Sequence, residues 1–322
     1  MKKPDDVELA LDRLAALRSE PDRSMVAAEL RKAVKDRSNL VVAKAASIAG
    51  ELRITELMSD LVAAFVRLMA NPAKLDKRCA ATFAIAGGLH AMDYTESDIY
   101  LRGIRHVQKE GSFGPPVDEA AKLRAQCALG LVRTSHPDAL VVVADLLADE
   151  EPHARVGAVR ALAANGGEAG VMLLRYKALT GDKDQEVVAE CFAGLLSADF
   201  SRSLPFVAKF MDADDPETCE SAILAIGSLR HSEAFAALHE KWERTVDPEI
   251  RSALLTAFAT MRLEEATNFL LELLETASAP TAVAVVKVLA AYHREERVRA
   301  KIASIVESRS TPELRQALRE HW

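Results

Sequence analysis

The chain has 322 residues, of which 49% are hydrophobic and 28% are charged, and its formal net charge is −7. This composition excludes a disordered chain and supplies enough apolar surface for a core. The excess of acidic residues argues against a protein that mainly neutralises phosphate groups, so we expect no nucleic-acid partner. Only 5% of the residues are aromatic, and the abundance of Ala, Leu and Val favours helices over a β-sandwich.

The first fourteen residues mix acidic and basic side chains without an apolar run, so we expect no secretory signal. The apolar stretches 139–144 and 282–291 are much shorter than the roughly 20 residues that span a bilayer. The four cysteines are Cys79, Cys127, Cys191 and Cys219. Their spacing suits neither a disulfide framework nor a metal site. We therefore predict a cytoplasmic protein with no membrane contact, no metal and no cofactor.

Prolines recur along the chain with a period of 32 residues, which is the signature of a repeat architecture. We call the residues that begin successive periods the phase positions. Those marked by this recurrence are Pro152, Asp184, Pro216, Pro248, Pro280 and Pro312. Nine positions after each phase position the residues are small or apolar, namely Ala49, Ala81, Leu129, Ala161, Ala193, Ala225, Ala257 and Leu289. A second apolar column, 26 positions after, is Val34, Val66, Leu146, Ala178, Phe210, Trp242, Leu274 and Val306.

Each period predicts two helices, for example 248–261 and 263–276. Asp215, Asp247 and Thr311 each precede a proline, so their side chains can cap a helix whose first turn holds the proline. Because one helix pair cannot bury both columns alone, the pairs must stack. We predict an all-α fold, a right-handed α-solenoid forming a single domain over 1–322. It has about nine helix pairs, beginning at residues 8, 40, 72, 120, 152, 184, 216, 248 and 280, and a capping helix at 312–322.

One period combines a proline at the helix start, an arginine three residues later and spaced small residues. These residues are Pro152, His153, Ala154, Arg155, Ala158, Ala161 and Leu162. The pattern resembles the second-helix signature of HEAT repeats, a family that serves many binding and scaffolding roles. In that family an aspartate six residues before the arginine often joins a polar ladder between repeats, and Asp149 holds this position. Thr245 and Arg309 hold it in two other periods, so the resemblance implies an incomplete ladder.

The repeat is interrupted by an insertion at 92–118, because the interval from 72 to 120 exceeds the period by 16 residues. We predict a helix over 96–110, followed by a Gly- and Pro-rich segment that cannot continue it. Tyr94, Tyr100 and Phe113 enrich the insertion in aromatic side chains. Two interpretations remain open: the insertion forms a partner-binding surface, or it is a lengthened connection whose aromatic rings pack on the adjoining repeat.

Charge is also unevenly distributed. Residues 184–279 contain 18 acidic and 7 basic side chains, a net charge of −11, whereas the rest of the chain sums to +4. Five of the acidic residues fall on the helix that lines the concave side in HEAT solenoids, namely Glu186, Glu190, Glu217, Glu220 and Glu249. One hypothesis is that this block receives a basic segment of a partner protein. The other is that it is a solvated face that serves solubility.

Catalytic residues are not indicated by the sequence. The cysteines share positions with Val, Ile and Leu of other periods, so we expect them to be buried. The eight histidines lack metal-ligand spacing, although His231 and His239 could share a helix face. The glycine pairs at 87–88 and 166–167 recur near the end of the first helix, where we expect the chain to turn.

Related enzymes with HEAT-like repeats match poorly. Deoxyhypusine hydroxylases of this kind carry several His-Glu pairs around a di-iron centre, whereas this chain has one such pair, His239 with Glu240. HEAT-like DNA glycosylases use a basic concave face, and the most charged periods here are acidic. We therefore predict a protein-binding scaffold or adaptor and not an enzyme. A lyase-type solenoid related to bilin lyases is the alternative, and a glycosylase relative is less favoured; the oligomeric state stays open.

Overall fold

The computed structural model describes residues 4–111, 114–309 and 311–322. Over these residues the fold is all-α apart from one hairpin. The helices are α1 (Pro4–Ala16), α2 (Arg23–Val34), α3 (Asn39–Glu51), α4 (Met58–Leu68), α5 (Pro72–Leu75), α6 (Ala80–Ala91), α7 (Asp98–Ile104), α8 (Ala121–Leu131), α9 (Ala139–Leu146), α10 (Pro152–Asn165), α11 (Glu168–Thr180), α12 (Gln185–Ala198), α13 (Phe200–Val207), α14 (Pro216–Gly227), α15 (Ser232–Arg244), α16 (Pro248–Met261), α17 (Glu264–Thr276), α18 (Ala279–Leu289), α19 (Glu296–Arg309) and α20 (Pro312–His321). The strands β1 (Lys109–Glu110) and β2 (Val117–Asp118) pair antiparallel.

The predicted helix pairs are confirmed. Each pair has a first helix and a second helix, and α20 follows the ninth pair as the cap. The first helices are α1, α3, α6, α8, α10, α12, α14, α16 and α18, and the short α5 precedes one of them. The helix α16 begins and ends where the proline phase predicts. No helix in the described ranges has the length and apolarity that crossing a bilayer requires.

The chain groups into two compact units, Met1–Gly194 and Leu195–Trp322. The boundary between the units falls within α12, and one continuous domain over 1–322 stays a prediction. Each unit is a stack of helix pairs.

The predicted caps act at two of three helix starts. Asp215 accepts a hydrogen bond from the backbone N–H of Thr218 at 3.0 Å, and Asp247 accepts from Glu249 at 2.8 Å. Pro216 and Pro248 then occupy the first helical turn, where proline loses no hydrogen bond. Thr311 does not cap α20 through its side chain, since its hydroxyl bonds to the carbonyl of Arg309 instead.

Most residues of the two apolar columns are buried, but Leu129 and Phe210 are half-buried and two further residues are exposed. Ala161 and Ala257 are fully buried and Ala225 is 8% exposed. Ala193 is exposed, because α12 turns the neighbouring Cys191 and Phe192 inward. Val66 is 47% exposed because Phe65 takes the inward position on α4.

Neighbouring first helices approach closely at glycine and alanine. A Cβ added to Gly157 of α10 would lie 2.2 Å from the Cβ of Ala125 on α8, and one added to Gly227 of α14 would lie 2.4 Å from Ala257 on α16. The expectation that the glycines at 87 and 88 form a turn is wrong, since both lie inside α6. Gly166, with φ of 64°, does end α10.

A buried polar ladder joins successive repeats of the first unit. The Arg124 guanidinium donates two hydrogen bonds of 2.8 Å to Asp149 and a third, of 2.6 Å, to Asp118. Arg155 donates to Asp182 at 2.8 and 2.7 Å, and the Lys177 ammonium lies 2.7 Å from the same carboxylate. Each arginine side chain is only 4% exposed, so the carboxylates neutralise charges that burial would otherwise make costly.

The ladder is connected differently from the sequence-based expectation. Arg155 meets Asp149 through the backbone carbonyl, at 2.7 Å, and gives its bidentate pair to Asp182. In the second unit Arg251 donates a hydrogen bond to the carbonyl of Thr245, at 2.8 Å, and its guanidinium lies 4.8 Å from the ring centre of Trp242. The ladder is therefore ionic in the first unit and made of backbone and ring contacts at Arg251.

The ladder makes stability of the first unit depend on pH. Burial opposes ionisation of Asp182, but hydrogen bonds from Arg155 and Lys177 outweigh it and lower the pKa to about 2, from 3.8. Because the folded-state pKa is lower than the unfolded one, this stabilisation is complete above about pH 4 and is lost as the pH falls toward 2. The difference corresponds to about 2 kcal/mol. Asp182→Asn leaves Arg155 buried without its counter-ion and should destabilise by about 3–5 kcal/mol at pH 7.

The measurement is thermal unfolding by circular dichroism between pH 2 and pH 7. Asp182→Asn should flatten the fall in melting temperature below pH 4, whereas the same change at the exposed Asp145 should not. A melting temperature at pH 7 unchanged by Asp182→Asn would contradict the ladder's contribution.

Adjacent glycines of α6 should respond oppositely to alanine. A Cβ on Gly88 would lie 2.6 Å from the backbone oxygen of Ala46, so Gly88→Ala should destabilise by about 1–3 kcal/mol. A Cβ on Gly87 would lie 3.7 Å from the flexible Gln126 side chain, so Gly87→Ala should stabilise by up to about 1 kcal/mol through helix propensity. Urea unfolding curves measure both variants, and equal midpoints would contradict the close approach of α3 and α6.

Candidate functional site

The five glutamates of the predicted acidic face fall into two groups. Glu186 and Glu190 lie on α12 beside Arg160 of α10. Glu190 accepts a hydrogen bond from the Arg160 guanidinium, and Glu186 lies 4.0 Å from it. Glu190 thereby raises the pKa of Arg160. This group is already neutralised in part by a cation of the same chain.

The second group carries unneutralised charge. Glu217 and Glu220 lie on α14 and Glu249 lies on α16, all three exposed. Within the described ranges, no lysine or arginine forms an ion pair with any of them. Acidic residues in the first turn are favoured by the partial positive charge of a helix N-terminus, which accounts for Glu217 and Glu249 following their prolines.

Glu220 and Glu249 line one groove, of 220 Å³, near the starts of α14 and α16. We call this the acidic groove. It also contains Asp214 and Asp247, and its apolar lining includes Ile223, Ile250 and Ala253. One carboxylate oxygen of Asp247 accepts hydrogen bonds from the backbone at the start of α16. Asp214 forms no ion pair in the described part of the chain. Glu217 is not among the groove residues.

Sequence reasoning missed Asp214, Asp247 and the apolar lining of the acidic groove. The signal was available, since both aspartates lie one or two positions before an in-phase proline. The 32-residue period brings such positions together at one end of successive first helices. Carboxylates around aliphatic side chains suit a lysine or arginine, whose stem is apolar and whose head is cationic.

The insertion differs from its predicted form. Its helix is α7, which ends at Ile104 instead of extending to residue 110, and the chain then forms the β1–β2 hairpin. The Gln108 side chain bonds to the carbonyl of Asp76 at 2.9 Å, and Asp118 at the end of β2 joins the ladder through Arg124. These bonds fix the insertion to the adjoining repeats.

The aromatic residues of the insertion do not form one exposed surface. Tyr100 is fully buried, so it cannot contact a partner, and its burial raises the pKa of its hydroxyl. It packs edge to face with the half-buried Tyr94 at 6.3 Å between ring centres. A Cβ on Gly130 would lie 2.2 Å from the Tyr100 ring, which explains the glycine. Phe113 lies outside the described residues.

A larger groove of 720 Å³ borders the hairpin and was not anticipated. Its exposed apolar side chains are Leu40, Phe83 and Val117, and Lys77 and Lys122 also line it. Asp118 and Glu119 belong to the same lining. The charges are thus mixed, in contrast to the acidic groove.

The chemically reactive side chains are dispersed. All four cysteines are buried free thiols, as predicted. Burial raises the pKa of Cys79 and Cys191 to about 12 and also raises the pKa of Cys127 and Cys219. Among the residues described, no group of three or more His, Cys, Asp or Glu side chains is placed to hold a metal ion.

The two histidines that could share a helix face have different neighbours. His231 stacks on Phe200 with ring centres 4.0 Å apart, whereas His239 packs against Phe269 at 4.8 Å. His90 is partly buried, and burial lowers its pKa. The structure therefore does not join His231 and His239 in one site.

Comparison with known proteins finds a match of residues 203–290 to the HEAT repeats family. No curated protein matches the chain significantly. Similar solved structures include an engineered protein, 18% identical with a TM-score of 0.37, which covers 97% of this chain and 93% of its own. Human deoxyhypusine hydroxylase in complex with glycerol is 14% identical, with a TM-score of 0.31 and coverage of 80% and 99%.

The complex of CpcE and CpcF of phycocyanin lyase from Nostoc sp. PCC7120 is also similar. It is 13% identical with a TM-score of 0.35, and the match covers 86% of this chain and 93% of the lyase chain. Likenesses of this size carry no inference about activity, ligand or partner for this chain.

The raised pKa values predict unreactive cysteines. At pH 8 the raised pKa values disfavour the thiolate at each of the four positions, and burial blocks access to each sulfur. We expect the folded protein to react with a thiol reagent such as dithionitrobenzoate at less than about one hundredth of the rate of the unfolded chain, in which four thiols react. Rapid labelling of one cysteine in the folded protein would contradict this prediction and mark an activated nucleophile.

Proposed function

We propose that this HEAT-repeat chain is a protein-binding scaffold, and that its acidic groove receives a basic segment of another protein. The observation that carries the proposal is the lining of the groove, in which Asp214, Glu220 and Glu249 surround aliphatic side chains and pair with no cation of the described chain. Several carboxylates that line one groove give it a negative potential, which attracts a cationic ligand.

The groove suits side chains better than a whole metabolite. Its volume of 220 Å³ is below the roughly 300–1,000 Å³ of typical small-molecule pockets. Two neighbouring first helices contribute to it, so an extended or helical segment can place one basic residue between them. The half-buried Ile250 offers contact to the aliphatic part of that residue.

We also propose that the chain acts by binding and not by catalysis, in the cytoplasm. The cysteines are buried with raised pKa values, which removes them as nucleophiles. Four free thiols suit a reducing compartment. A helical scaffold of this kind requires no cofactor.

A pair of synthetic peptides tests the proposal. The first contains arginine and leucine in equal number, and the second has glutamate in place of arginine. Fluorescence anisotropy at 50 and 300 mM NaCl should show binding of the arginine peptide only, with a dissociation constant that rises at least about tenfold at the higher salt concentration, since salt screens exposed charges. Binding that ignores salt would contradict electrostatic recognition.

A charge-matched pair of variants locates the binding site. Glu220→Lys with Glu249→Lys should weaken binding of the arginine peptide by about tenfold or more. Glu272→Lys with Glu275→Lys makes the same change in net charge at exposed positions of α17 and should change the affinity by less than about threefold. Equal losses in the two variants would attribute binding to net charge and reject the acidic groove.

A further inference from the structure

Asp214 of the acidic groove holds the sequence position that Asp182 holds one period earlier. Each of the two aspartates stands two residues before a phase position. The Asp182 carboxylate is buried and meets three donors of its own chain. These are the Arg155 guanidinium at 2.8 and 2.7 Å, the Lys177 ammonium at 2.7 Å and the backbone N–H of Asp184 at 2.9 Å. Asp182 therefore shows what a carboxylate at this position can bind.

The three donors have no working counterpart at Asp214. One period later the chain has Val187 in place of the arginine, Lys209 in place of the lysine and Pro216 in place of the residue whose N–H donates. Val187 has no side-chain donor, and proline has no N–H. Lys209 is exposed and forms no ion pair within the described ranges. The second unit thus keeps the carboxylate, which is exposed, without the groups that bind it in the first unit.

The ladder also shows which cation suits such a carboxylate. Asp149 and Asp182 each accept two hydrogen bonds from one arginine, through Nε and Nη2, at 2.8 Å in the first case and at 2.8 and 2.7 Å in the second. A guanidinium carries five donors in a planar fork that matches a carboxylate, whereas a lysine ammonium is a compact point charge. Glu220 and Glu249 line the same groove as Asp214, so acceptors are present for the donors that one carboxylate leaves free.

We propose that the acidic groove selects arginine over lysine, and that Asp214 binds the guanidinium of the partner through two hydrogen bonds, as Asp182 binds Arg155. The inference rests on the proposed function and adds the residue type that the groove selects. The partner supplies from outside the cation that the first unit supplies from within. A groove that recognised charge alone would bind arginine and lysine equally.

Two peptides of equal charge test the proposal on the full chain. The first is the arginine and leucine peptide used above, and the second has lysine in place of every arginine. Fluorescence anisotropy at 50 mM NaCl should give a dissociation constant at least about threefold lower for the arginine peptide, because only a guanidinium makes two hydrogen bonds to one carboxylate. Equal dissociation constants overturn the selection of arginine but agree with the proposed function. Absence of binding by both peptides overturns the proposed function as well.

A charge-matched pair of variants assigns the selection to Asp214. Asp214→Asn should raise the dissociation constant of the arginine peptide by about threefold or more and reduce its preference over the lysine peptide to less than about twofold. Glu217→Gln removes the same charge from a nearby exposed residue outside the acidic groove and should leave the preference unchanged. Circular dichroism should show wild-type helix content in both variants, since both positions are exposed. A preference that survives in Asp214→Asn, or that both variants lose equally, overturns the proposal.

Discussion

The burial of arginine between successive repeats is the constraint from which the rest of the first unit follows. A guanidinium that is 4% exposed is tolerated only where carboxylates and carbonyls meet its donors. Arg124 and Arg155 therefore fix where Asp118, Asp149 and Asp182 must lie, and these aspartates stand in the connections that lead into the first helices. The ladder fixes the connections between repeats, and the glycine contacts fix the distances between neighbouring first helices.

The same constraint determines which acidic residues are paired in each unit. In the first unit, aspartates near the starts of the first helices form ion pairs with the arginines of the ladder. In the second unit Arg251 bonds to the carbonyl of Thr245 and stacks on Trp242, so it needs no carboxylate. Lys241 forms an ion pair with Asp212 at 2.7 Å, but Asp214 has no ion pair within the described residues. Acidic residues at equivalent positions are structural in one unit and are available for recognition in the other.

Much of the fold could be predicted from the sequence, because each 32-residue period repeats short patterns that mark helix starts. Asp247, Pro248 and Glu249 define a helix start without reference to the rest of the chain, and α16 begins there. The sequence could not predict which side of a helix is buried or which residues far apart in the chain form pairs. The exposure of Ala193 depends on the rotation of α12, and the partner of Arg155 is 27 residues away in sequence. The hairpin replaces the end of a predicted helix because residues near 109 and 118 pair across the insertion, which no local pattern reveals.

The candidate site was likewise predictable in its local features but not in its long-range contacts. The positions of Glu217 and Glu249 could be predicted from the phase of the prolines, but which charges are neutralised depends on Arg160, which meets Glu190 across neighbouring helices. Glu220 and Glu249 keep an unpaired charge because no lysine or arginine of the described ranges reaches them, and this property arises only once the helices have packed. Local sequence patterns can therefore predict where an acidic side chain lies, but not whether its charge is available to a partner.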